Sequence, residues 1–103
     1  MLEGVAHFVY IVRCANAALY TGYAVDVVAR VAKHNAGKGA KYTRMNRPVE
    51  LLAVWEAPDR ITALKLEQRI KRLSHARKLA LVAGQCPLPD VSNLPASAIW
   101  KRG

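Results

Sequence analysis

Acidic residues are scarce in this chain. Seven Asp and Glu face sixteen Lys and Arg within 103 residues, a net charge of +9. So basic a balance, in a chain long enough for one domain with a single modest core, points to an anionic partner, most often nucleic acid. Cysteine is almost absent. Cys14 and Cys86 stand far apart with no Cys-x-x-Cys spacing, which excludes a zinc site of clustered thiolates and fits unpaired thiols in a reducing compartment. No apolar run approaches the ~18 residues that a membrane span needs, which excludes a membrane protein of that kind. The opening MLEGVAHF lacks the basic region and apolar segment of a secretory signal. These absences predict a soluble, cytoplasmic protein. Internal repeats and low-complexity tracts are missing too.

What is present is a set of short periodic segments. HFVYIVRC (7–14) is rich in β-branched and aromatic residues and reads as a strand; ALYTGY (18–23) reads as a second, and the short ANAA between them makes an antiparallel hairpin. Gly22 inside the second strand signals a bulge or a close backbone approach. VDVVARVAKHNAG changes period: Val27, Val28, Val31, Ala32 and Asn35 fill one helical arc, Arg30 and His34 lie on its border, and Gly37 suits a C-cap. VELLAVWEA (49–57) is a third strand with Val49, Leu51, Ala53 and Trp55 on one face. Pro58 ends it, and Asp59 caps a helix over 60–73 whose Ala63, Leu66, Ile70 and Leu73 share a face. Ser74 caps a further helix over 75–83. The fold class is therefore α+β: a small three-stranded antiparallel sheet flanked by helices, in the order β-β-α-β-α-α. One domain occupies 1–83. Residues 84–103, with three of the five prolines, form an irregular tail that Ile99 and Trp100 could anchor.

HNAGKGAKYTRMNRP (34–48) holds two glycines, two lysines and two arginines and no acid. A nucleotide-binding loop needs Gly-x-x-x-x-Gly-Lys-Ser/Thr between a strand and a helix. Here Gly37 and Gly39 are too close, Lys41 precedes Tyr42, and the stretch follows a helix. Spacing and context both fail. What remains is a loop, with room for one helical turn, in which Lys38, Lys41, Arg44 and Arg47 can neutralise backbone phosphates while Tyr42 packs on a sugar or base.

Chemistry requires a tighter grouping. Tyr10 stands on the first strand; Tyr20 and Gly22 are on the second; Arg30 and His34 follow on the helix. Between 60 and 78, seven Lys or Arg surround one carboxylate, Glu67. Taken singly these residues have plain readings: core tyrosines, a surface Arg–His pair, and a Glu67–Lys71 helix pair worth roughly 0.3–0.5 kcal/mol. As an ordered set, over about residues 7 to 83, they resemble the GIY-YIG endonuclease superfamily. Phe8-Val9-Tyr10 and Tyr20-Thr21-Gly22 stand for the two signature tripeptides. The wider pattern is similar to that of its small stand-alone bacterial (YhbQ/YazA-like) branch. Phe8 replaces the first glycine, Tyr23 stands where excision-repair relatives have lysine, and the asparagine of some members has no counterpart.

The resemblance implies a metal-dependent DNA endonuclease in DNA repair or processing. A phosphodiester repels hydroxide, so its hydrolysis needs a base for water and cations for the developing charge. By resemblance Tyr20 is the general base, Arg30 clamps a non-bridging oxygen, His34 relays a proton or orients Tyr20 or the water, and Tyr10 hydrogen-bonds within that network. Glu67 would hold one Mg²⁺ or Mn²⁺. A free phenol titrates near ~10, and a nearby arginine and metal ion both favour phenolate. With little material for base-specific readout, the substrate is expected to be chosen by structure rather than sequence. DNA is the expected partner, with RNA and an unspecified protein as further ones. Two alternatives remain: a DNA- or RNA-binding module that kept the scaffold without cleaving, and a basic adaptor whose Trp100 docks on a protein.

Overall fold

The computed structural model of the chain describes residues 5–92. Strands β1 (His7–Arg13), β2 (Leu19–Ala24) and β3 (Glu50–Ala57) form one antiparallel sheet in the order β2-β1-β3. Cys14 N–H donates to the Ala18 carbonyl (2.8 Å) to close the β1–β2 hairpin, and Ala17 takes φ 71° at its tip. The central strand explains its own sequence. Val9, Tyr10, Ile11 and Val12 are all buried because each face of β1 is covered, which requires a continuous apolar run rather than alternation.

One face carries α3 (Arg60–Lys71) and α4 (His75–Val82): Val9 and Ile11 pack with Ala57, Ala63, Leu66, Ile70 and Leu81. The other carries α1 (Val27–Asn35), where Tyr10 and Val12 pack with Ala24, Val27 and Val49. Asp26, Asp59 and Ser74 cap the three longer helices, each side chain accepting from the N–H three residues on; such caps contribute ~1 kcal/mol each. Both cysteines are free. Among the described residues no helix is long and apolar enough to cross a membrane.

The loop after α1 contains the single helical turn for which it had room, α2 (Lys41–Met45). Two local expectations are corrected. A register shift between Ile11 and Val12 makes Ile11 face Ala53 but Val12 face Leu51, so Leu52 is the extra residue of a bulge. Leu52, not Leu51, then joins Trp55 against the α3 side, and Leu51 is exposed. On α1 the buried line is Val27, Val31, His34, while Val28 is 78% exposed. His34 was expected at the border of the apolar arc; it lies at the centre of the buried face because a polar network takes it in. After α4 the chain to residue 92 carries no helix or strand, with Val91 buried in the α3-side core. Ile99 and Trp100 lie outside the described residues.

Candidate active site

Tyr10 and Gly22 are register partners across β1 and β2. A Cβ on Gly22 would overlap Cζ and Oη of Tyr10 and stand 2.9 Å from its Cε2. The close approach that the glycine signals is thus the Tyr10 ring crossing its strand. That path delivers the phenol to α1, where its hydroxyl lies 2.8 Å from His34 Nε2.

The other imidazole nitrogen, Nδ1, lies 2.8 Å from Thr43 Oγ1, and the Thr43 hydroxyl donates to the Ala40 carbonyl at 2.9 Å. This order fixes the protons. The single Thr43 proton goes to a carbonyl that can only accept, so Oγ1 accepts from His34 Nδ1–H. His34 Nε2 is then bare and accepts from the Tyr10 hydroxyl. Burial and the Arg30 charge hold His34 below its ordinary range, which keeps it neutral. Burial, then the neighbouring Tyr20, push Tyr10 up to about 12 against the opposing pull of Arg30. Tyr10 therefore keeps its proton. Tyr10, His34 and Thr43 are at most 2% exposed.

Around this buried chain lie the remaining expected residues. The Tyr20 ring meets His34 edge-on at 5.5 Å between centroids. Arg30, exposed on α1, acts electrostatically on both Tyr10 and His34, and with Lys33, Asp26 and Tyr23 it lines a recess of about 300 Å³. α3 packs chiefly on β2 and β1, which carries Glu67 to the same place: its charge is felt at Tyr10. Glu67 is 1% exposed, Lys71 Nζ stands 3.5 Å from its Oε2, and the same ammonium lies 6.0 Å from the Tyr20 ring centroid.

The basic loop divides. Lys38, Lys41 and Arg44 are exposed, and Tyr42, also exposed, accepts from Asn16 Nδ2 at 2.9 Å. Arg47, also exposed, is folded back along its own loop, with Nε donating to the Arg44 carbonyl and Nη1 to that of Asn35. Asn35 pairs its amide with both backbone groups of Val49 (2.7 and 3.1 Å), closing the loop so that Thr43 returns to His34. Asn35, expected on the apolar arc, is in fact this clasp. Thr43, Gly39 and Lys71 are what sequence reading missed or undervalued. A Cβ on Gly39 would strike His34 Nδ1. A small residue and a β-branched hydroxyl inside a run of cations were the available signals.

Among the described residues there is no cluster of three or more His, Cys, Asp or Glu able to cage a metal. The donor set instead suits a hard divalent ion that keeps waters and takes one carboxylate plus substrate oxygens. That Glu67 already accommodates a cation, the Lys71 ammonium, fits such an ion.

Two cores, a hairpin and this convergence define a known class. The family model for the GIY-YIG catalytic domain matches residues 6–80, and the chain belongs to that nuclease-domain family. A UPF0213 protein of Staphylococcus epidermidis is 54% identical over 76 residues, spanning 74% of this chain and 93% of that one. A UPF0213 protein of Staphylococcus aureus is 52% identical over 77 residues, spanning 75% and 94%. The solution structure of a UPF0213 protein from Bacillus halodurans matches with TM-score 0.51 and 38% identity, over 89% of this chain and 93% of that one. A solution structure from E. faecalis matches with TM-score 0.55 and 30% identity, over 82% and 90%.

Proposed function

We propose that this chain is a divalent-metal-dependent endonuclease that hydrolyses phosphodiester bonds in DNA, selecting its substrate by structure. One observation carries the reading. Residues from β1, β2, α1 and α3 act on a single buried phenol: Tyr10 bonds His34 and feels Tyr20, Arg30 and Glu67. An ordinary core tyrosine does not gather a base, a cation and a carboxylate around it.

In this reading Tyr20 takes the proton of the attacking water, with cations close by to favour its phenolate form. Water oxygen bonds to phosphorus, the bond to the 3′ oxygen breaks, that oxygen takes a proton from solvent, and a 5′ phosphate and a 3′ hydroxyl result. Arg30, which lines the recess, holds a non-bridging oxygen with its planar fork. Glu67 is the residue that would hold Mg²⁺ or Mn²⁺, which when bound supplies charge stabilisation for the phosphorane and the leaving oxygen. Tyr10 and His34 are positioning residues: both are buried and fully engaged, and they fix the wall against which Tyr20 rests. Lys38, Lys41, Arg44 and Tyr42 offer the backbone contacts. Arg47 is less suited, because its Nε and Nη1 serve the loop itself.

The test is nicking of supercoiled, linear and branched DNA with Mn²⁺ or Mg²⁺, beside Tyr20→Phe and Glu67→Ala. Cleavage that both substitutions and a chelator abolish is expected. Salt-sensitive binding with no cleavage under either metal would refute the enzyme in favour of a binding module.

A further inference from the structure

Lys71 takes no part in the proposed reaction, yet its ammonium pairs with the buried carboxylate of Glu67. Its Nζ stands 3.5 Å from Glu67 Oε2 while the two side chains differ sharply in exposure, 36% for Lys71 against 2% for Glu67. The lysine therefore reaches in from solvent, and its flexible stem can withdraw without repacking the core. A buried carboxylate needs a countercharge, since an isolated one is costly in an apolar surround. Lys71 supplies it from the last turn of α3, the helix that also holds Glu67.

We propose that Lys71 is the resident counter-cation of Glu67, holding the seat in the metal-free protein and yielding it when a divalent ion binds. The inference rests on Glu67 being the metal-binding residue. Positive charge crowds this corner: Arg30 acts on the phenol, the Lys71 ammonium lies 6.0 Å from the Tyr20 ring centroid, and Lys78 is close enough to feel Lys71. Burial and that lysine neighbour hold the Lys78 ammonium below its ordinary range. An arriving doubly charged ion adds to this repulsion, and Lys71, the partner open to solvent, is the one that can leave. Metal affinity is then set against an internal competitor. The metal-free site keeps its carboxylate neutralised, and binding the ion costs the ion pair.

Calorimetric titration of the full chain with Mn²⁺, without nucleic acid, tests this directly, together with thermal melts with and without the ion. Lys71→Met is expected to bind Mn²⁺ about fivefold tighter than wild type, the size of a half-exposed ion pair. Its melting temperature should fall without metal and rise more on adding Mn²⁺ than that of wild type. Lys71→Arg keeps the charge and should stay near wild type in both readouts. Folding of Lys71→Met only when Mn²⁺ is present would be the same result in stronger form. Binding that depends on Glu67 (lost in Glu67→Gln) but is no tighter in Lys71→Met overturns the competitor and leaves the metal site standing. Binding that Glu67→Gln does not weaken in either background overturns the metal site and this inference with it. Failure of Lys71→Met to fold even with Mn²⁺ makes Lys71 a plain structural residue and also overturns the proposal.

Discussion

Replacing Thr43 by valine keeps shape and removes one oxygen, and the consequence can be worked through proton by proton. The chain Tyr10–His34–Thr43–Ala40 carries three protons in one direction, each with one acceptor. Without Oγ1, His34 Nδ1–H points at a methyl group in a site where Thr43 is 0% exposed. The imidazole can escape by moving its proton to Nε2. That nitrogen then faces the Tyr10 hydroxyl, whose own proton loses its acceptor. In either tautomer one buried donor is orphaned, at a cost of about 1–3 kcal/mol. The Ala40 carbonyl is not orphaned, because Arg44 N–H also reaches it at 2.9 Å. For a domain of this size each kcal/mol lowers Tm by about 4–8 °C, so Thr43→Val should melt roughly 10 °C below wild type. Thr43→Ser keeps the hydroxyl and loses a methyl, worth about 0.8 kcal/mol, and should fall less. Imidazole ¹⁵N shifts supply the second readout. Wild type and Thr43→Ser should show His34 protonated at Nδ1, and Thr43→Val should show that preference lost. A Thr43→Val protein as stable as Thr43→Ser, with the Nδ1–H tautomer intact, would refute the reasoning.

Three further outcomes follow from the same geometry. Gly22→Ala drives a methyl into the Tyr10 ring and should destabilise by about 1–3 kcal/mol and dislodge the phenol from His34, whereas Gly84→Ala, at φ +74° with open space around it, should cost only about 1–2 kcal/mol of backbone strain; chemical melts of both variants give the comparison. Native His34 is depressed below 6.5, so its contribution to stability is complete above that pH and is lost as pH falls below it; native Tyr10 is raised from 10.0 to about 12, so its contribution is complete below pH 10 and is lost as pH rises toward 12. Urea titrations across pH should show both limbs, the alkaline one of about 2–3 kcal/mol and absent in Tyr10→Phe. Combined removal of Lys38, Lys41 and Arg44 should flatten the salt dependence of duplex binding by about three units of log–log slope, while Arg47→Ala, which releases two carbonyls, should act mainly through a lowered Tm.

The strands and helices were legible because local chemistry and global packing agree there. β1 reads as an unbroken apolar run and is buried on both faces; Asp59 and Ser74 read as caps and cap. The α1 phase was misread for a reason that applies beyond it. Hydrophobic periodicity ranks Val28 above His34 for burial, but periodicity registers only transfer from water, not a polar group whose partners travel inside with it. His34 is buried because Tyr10 and Thr43 satisfy both of its nitrogens, and neither partner is near it in sequence. The bulge at Leu52 was invisible for a related reason: it is a property of pairing with β1, and Leu51 and Leu52 are chemically the same residue.

The site shows the same division. Tyr10, Tyr20, Arg30, His34 and Glu67 were named through the family resemblance that their order carries, and the structure brings them near one another. The residues that hold them were hidden in plain composition. Gly22 and Gly39 matter for a missing Cβ, Thr43 for one lone pair, and Asn35 for an amide that imitates backbone. Each acts through a distance, and distances are set by the return of a thirteen-residue excursion (36–48) that has no period of its own. That excursion looks like a phosphate-binding loop and nothing more. Its exposed Lys38, Lys41 and Arg44 fit that purpose, but Thr43, facing the other way, is also the end of the proton chain that begins at Tyr10. One segment thus presents its cations on its outer side and holds His34 on its inner side, so under the proposed reading a change in how the loop seats on a phosphate backbone has a direct physical route to the phenol at the centre of the site.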